Sequence, residues 1–132
     1  MRVAAIIGES GSGKTTLISG LIRHFLAEGK RVAAIKHTHH PLNLERRGDT
    51  AAFADAGADP VIFARDGEAI RDGKRIQFDS PAELLDHLHA DVVLIEGFKQ
   101  VDLWPRIELD ASAHLSVQDA VAILDRIWAS RQ

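Results

Sequence analysis

Val3-Ala4-Ala5-Ile6-Ile7-Gly8-Glu9-Ser10-Gly11-Ser12-Gly13-Lys14-Thr15-Thr16-Leu17-Ile18 is the stretch that decides the fold. Val3–Ile7 is continuously apolar and closed by glycine, as expected of a central parallel strand covered on both faces. From Lys14 onward the period changes. Leu17, Ile18, Leu21, Ile22 and Phe25 fall on one helical stripe, and Gly29 stands where a helix-ending glycine belongs. Between strand and helix, residues 8–15 match G-x-x-x-x-G-K-[ST] without deviation. Glycines there let backbone amides turn inward with no Cβ in the way, forming an anion nest at the positive end of a helix. The pattern points to a triphosphate cradle, a P-loop, built from Gly8, Ser10, Gly11, Ser12, Gly13, Lys14, Thr15 and Thr16. Lys14 is expected to reach the β- and γ-phosphates, and Thr15 to offer its hydroxyl to magnesium, a hard ion that prefers oxygen.

Working outward, Arg31–Lys36 reads as a second apolar strand, so the first quarter or so of the chain is a strand–helix–strand unit with a right-handed crossover. Residues 37–47 lack periodicity and read as a loop. Asp49–Ala56 reads as a short helix and Val61–Ala64 as a weaker strand. Asp72-Gly73, between Ala69-Ile70 and Arg75-Ile76, is a hairpin signal. Ser80-Pro81-Ala82-Glu83 opens a capped helix, with proline at its first position and a capping-box glutamate. Val92-Val93-Leu94-Ile95 is a further core strand and Arg106–Leu109 another. Ser116 caps a last helix whose Ala120, Val121, Leu124, Ile127 and Trp128 share a face. Alternating strands and helices predict a three-layer α/β domain with a mostly parallel sheet and helices on both faces, the P-loop NTPase fold. One domain over 1–132 is expected from the length.

Composition is that of a soluble globular domain, with 45% hydrophobic and 27% charged residues. A net charge of −3 gives no basic footprint for long nucleic acid. The absence of cysteine excludes disulfides, thiolate zinc sites and thiol nucleophiles, and suits a cytoplasmic setting. No run approaches the ~20 apolar residues of a membrane helix, and Val3–Ile7 is shorter than the ~7–15 of a secretory signal.

Two further constellations belong to the same sheet edge. Glu96 ends the strand Val92–Ile95, where P-loop proteins place a magnesium-side carboxylate. Lys36-His37-Thr38-His39-His40 follows the second strand; it is expected to face an anionic substrate or a partner, with a transition-metal site or a solvated polar loop as alternatives. Asp49 either caps its helix or serves magnesium. Lys99 lies near the site mouth. Trp104 is either an exposed anchor for a partner or buried under the last helix. No [NT]-K-x-D segment reads the base.

G-E-S-G-S-G-K-T-T at 8–16, K-H-T-H-H at 36–40 and L-I-E-G-F-K at 94–99 together resemble the molybdopterin-guanine dinucleotide biosynthesis adapter family, MobB. Asp49-Thr50 and Ala56-Gly57-Ala58 resemble the segment between, and the likeness runs to about residue 109. The resemblance implies a homodimeric GTP-binding protein with weak GTPase activity, assisting the guanylyltransferase MobA, which joins GMP to molybdopterin. Carried over by position, Lys14 with Thr15, Thr16, Gly11 and Gly13 would hold phosphate and Mg2+. Asp49 and Glu96 would be the acidic magnesium-side residues, and Lys36, His37, His39 and His40 would line a face towards pterin or partner. The chain departs from the family in its compact 66–90 region and in Gly48, where a lysine is frequent. Two other readings use the same cradle: a small-molecule kinase, with Asp49 as base and the 66–79 hairpin as lid, and a metal-delivery GTPase built on the histidines. Arg46, Arg47 and Arg65 have no assigned place.

Overall fold

The structure is a computed structural model; it describes residues 1–9, 11–39, 42, 48–112 and 114–131. Ser10, His40, Arg46 and Arg47, and with them most of the 37–47 loop, lie outside the described residues. The elements are β1 (Arg2–Gly8), α1 (Lys14–Ala27), β2 (Val32–His37), α2 (Gly48–Ala56), β3 (Val61–Arg65), β4 (Glu68–Arg71), β5 (Lys74–Gln77), α3 (Pro81–Asp86), β6 (Val92–Glu96), β7 (Arg106–Leu109) and α4 (Val117–Ser130).

The strands form one sheet in the order β5-β4-β3-β2-β6-β1-β7. β1, β2, β3, β6 and β7 pair in parallel, and β4 and β5 extend the β3 edge antiparallel. α1 carries the chain from β1 past β6 to β2, so β6 lies between the two strands of the opening unit. Apolar runs in β1, β2 and β6 bury both faces through simple alternation. Ala4, Ile6, Val32, Ala34, Val92 and Leu94 turn to one side and pack against α1, α2 and α4. Ala5, Ile7, Ala33, Ile35, Val93 and Ile95 turn to the other, under Leu84 of α3, Phe78, Phe98 and Trp104. The three-layer α/β architecture is thus the expected one, with unequal layers: three helices on one face, one six-residue helix and loops on the other.

Local chemistry explains the ends. Asp72 and Gly73 both have positive φ, 51° and 77°, which is the type I′ turn that matches strand twist. Ser116 accepts from the Asp119 N–H at 3.1 Å and caps α4. The expected capping box at α3 is different: Ser80 makes no side-chain cap, and Glu83 accepts instead from the Asp79 N–H at 3.1 Å. Trp128 donates its indole N–H to the Val3 carbonyl at 3.0 Å, fastening α4 to β1. Trp104 is 4% exposed, so it is not an exposed anchor. It is buried edge-to-face on Phe98, on the sheet face away from the one α4 covers. Among the described residues, no helix is long and apolar enough to cross a membrane.

Candidate functional site

Parallel strands deliver their C-terminal ends to one edge, and open α/β sheets bind ligands there. At this edge β1 runs into the glycine loop, β2 ends in Lys36 and His37, and β6 ends in Glu96. Register fixes their spacing: Glu96 stands beside Ile6 on one side and Lys36 on the other. The result is a cavity of about 670 Å³, bounded by Gly13, Lys14, Thr15, Lys36, Asp49 and Glu96, among others.

The loop keeps its amides available. Gly11 and Gly13 are left-handed, with φ of 81° and 91°, and nothing lies within 4 Å of where a Cβ would stand. Gly13 caps α1 without any side-chain acceptor, and the first turn holds no acidic residue. The positive end of a 14-residue helix therefore faces the cavity uncompensated, which favours an anion. Lys14 arches over the loop and donates to the carbonyls of Gly8 (2.6 Å) and Glu9 (3.3 Å). Burial pulls its ammonium below the ordinary lysine range, against the attraction of Glu96.

Four side chains from four elements meet beside the loop. Thr15 donates its hydroxyl to Asp49 Oδ1 at 2.8 Å. Lys36 Nζ lies 2.8 Å from Asp49 Oδ2 and 2.8 Å from Glu96 Oε2. Both Asp49 oxygens are thus engaged in the cavity: this first-turn residue of α2 reaches across to α1 and β2. Glu96 is 3% exposed, and burial raises its carboxyl above the usual glutamate range, against the pull of Lys36. Burial also acts to raise Asp49, but bonds from Lys36 and Thr15 outweigh it and hold the group low. Lys36 loses to burial and gains more from the two carboxylates, so its ammonium is held above the ordinary lysine range. The residues fit a divalent ion: two carboxylates and a hydroxyl converge, and an ammonium already stands between the carboxylates as a cation does. Thr15, Asp49 and Glu96 are the donors such an ion would use.

The histidine run divides. His37 is nearly enclosed, stacked on Phe98 at 4.0 Å between centroids, with His39 edge-on at 4.9 Å. Its Nε2 lies 2.8 Å from Asp66 Oδ1, a partner the sequence did not suggest. His37, His39 and Asp66 bring ligand atoms within 4.8 Å of one another. The Phe98 N–H points at Nδ1 from 3.4 Å, so His37 meets a backbone donor with one ring nitrogen and Asp66 with the other. Lys99 is exposed; its carbonyl accepts from Arg106 at 2.7 Å, and its charge is near enough to repel that of Lys14.

The turn that places Phe98 is tight. Gly97 has φ of +108°, and a Cβ on it would stand 2.8 Å from His37 Cβ and 3.1 Å from His37 O. Phe98 follows with φ of 53°. Gly97→Ala is expected to cost about 2–4 kcal/mol, from left-handed strain together with overpacking. A urea titration measures it. An unchanged midpoint would mean that the end of β6 does not lie against β2 in this way.

The sheet and its helices define a protein with a P-loop NTPase-like α/β fold. The family model for MobB, molybdopterin guanine dinucleotide synthesis protein B, matches residues 3–128, and the chain belongs to that family. It is 40% identical over 108 residues to the molybdopterin-guanine dinucleotide biosynthesis adapter protein of Haemophilus influenzae, covering 79% of this chain and 60% of that one. It is 32% identical over 126 residues to a putative adapter protein of the same description from Methanocaldococcus jannaschii, covering 95% and 52%. The chain thus spans little more than half the length of these relatives. The crystal structure of Bacillus subtilis MobB superimposes with a TM-score of 0.54 at 25% identity, covering 83% of this chain and 68% of that one.

Proposed function

We propose that this chain is a GTP-binding adapter with weak, magnesium-dependent GTPase activity that assists the guanylyltransferase step of molybdenum cofactor synthesis, in which GMP is joined to molybdopterin. One observation carries the nucleotide part. A single cavity presents the N-terminus of α1, without a side-chain cap and carrying Lys14 and Thr15, and faces it with Asp49 and Glu96. That is a triphosphate cradle with a magnesium side. Membership of the MobB family supports the adapter role, and the names of its relatives support the pathway. The partner on this reading is the guanylyltransferase MobA, with a homodimer as the working unit.

Weak turnover is part of the same reading. No arginine is among the described residues that line it, and P-loop GTPases lacking an arginine in place turn over as slowly as about 10⁻⁴ per second. Fluorescent GTP displaced by unlabelled GTP or ATP, with magnesium, tests the reading. GTP is expected to compete at least about 10-fold better, a difference of about 1.4 kcal/mol. Equal competition, or preference for ATP, would overturn the guanine part and favour a kinase. Pull-down of purified guanylyltransferase by the GTP-loaded chain tests the adapter part.

A further inference from the structure

We propose that Lys36 is the resident cation of the magnesium pocket: its ammonium closes the Asp49–Glu96 carboxylate pair in the nucleotide-free protein and gives way when a divalent ion arrives with nucleotide. This rests on the magnesium–nucleotide reading above and concerns how that same site is regulated.

Position makes the argument. Lys36 Nζ is equidistant, at 2.8 Å, from Asp49 Oδ2 and Glu96 Oε2. Thr15 Oγ1 is bound to the other oxygen of Asp49 at 2.8 Å. Two of the three donors that a magnesium ion would use therefore already touch one positive charge, and the third is bonded to one of them. A magnesium ion binds oxygens at about 2.0–2.1 Å and usually keeps several waters, so the ion with its shell and the ammonium cannot share this point. One must displace the other.

Burial explains why a cation is kept there. Glu96 is 3% exposed, and its Oε2 has no aligned hydrogen bond; the approach of Lys36 is its compensation. A buried carboxylate with no counter-charge is costly. Lys36 sits beside Glu96 in register across β2 and β6, so its backbone is fixed while its four methylenes can swing.

Charge explains why the exchange needs nucleotide. Asp49 and Glu96 are matched in number by Lys14 and Lys36. A bare divalent ion would add two positive charges beside both lysines. A triphosphate brings several negative charges and gives the released ammonium oxygens to bind. Metal then enters with nucleotide and is resisted without it.

Lys36→Met and Lys36→Gln test this in protein free of nucleotide. Free hexaaqua Mn2+ counted by electron paramagnetic resonance gives the affinity directly. Both variants are expected to bind Mn2+ about 10-fold tighter or more than the parent, since removing one unit charge at this range is worth at least ~1.4 kcal/mol. Lys36→Arg, which keeps the charge, is expected to stay near the parent. Equal or weaker Mn2+ binding in Lys36→Met and Lys36→Gln overturns the proposal. Should either fold poorly, thermal unfolding with and without millimolar Mn2+ decides: rescue by the ion supports a replaceable cation, and no rescue overturns it. The Mn2+ titration contains no nucleotide. If the parent binds no fluorescent GTP, the nucleotide reading fails by itself, and the Mn2+ result still judges Lys36.

Discussion

Lys14→Ala is expected to lower the affinity for magnesium–GTP by at least about 100-fold while leaving the fold intact. Lys14 is the side chain that bends over the glycine loop, donating to the Gly8 and Glu9 carbonyls, so its ammonium is held at the mouth of the cradle before any ligand arrives. Charge-assisted hydrogen bonds contribute about 1.5–3 kcal/mol each. Two phosphate contacts then amount to about 3–6 kcal/mol, a loss of 100-fold or more. The stability effect is small by comparison, because the bonds to Gly8 and Glu9 lie at a partly exposed surface. Titration with fluorescent GTP, beside circular dichroism and a denaturant midpoint, separates the two. Retained affinity in a folded variant would remove the phosphate cradle from residues 8–16.

The part of this site that was legible in sequence is the part made by consecutive residues. An apolar strand, a glycine loop and an amphipathic helix specify one another over short range, so β1, the cradle and α1 follow from spacing. The Asp72-Gly73 hairpin and the Ser116 cap follow in the same way. What was not legible depends on partners far apart in the chain. Nothing in the run Val92–Ile95 says that β6 lies between β1 and β2, yet that insertion sets Glu96 beside Lys36. Lys36 was expected to face an anionic ligand; in the structure it faces two carboxylates of its own chain, one from α2 and one from β6. For Asp49 the local pattern leaves cap and magnesium ligand open, because a first-turn aspartate serves either use; its bonds to Thr15 and Lys36 come from residues far away in the chain. Asp66 became the partner of His37 through the β3–β4 turn, a contact set by sheet pairing and not by local pattern.

Glu96→Gln is the second large effect, and it separates metal from phosphate. The substitution keeps volume and most of the packing at the end of β6 and removes one charge. Asp49 remains to hold Lys36 at 2.8 Å, so the variant does not leave a lone buried ammonium. The glycine loop and Lys14 are untouched, and GTP binding in EDTA is expected to match the parent. The magnesium-dependent part should fall away. Where the parent gains about 10-fold in GTP affinity on adding magnesium, a difference of about 1.4 kcal/mol, the variant should gain almost nothing. Release of free phosphate should drop by about 10²–10³, the usual loss when one preorganised electrostatic group is removed from a transition state. Calorimetry of GTP binding with and without magnesium, followed by single-turnover phosphate release, measures both. A full magnesium response in Glu96→Gln would assign the ion to Thr15 and Asp49 alone. The burial of Glu96 against Lys36 would then be a matter of folding, with no part in hydrolysis.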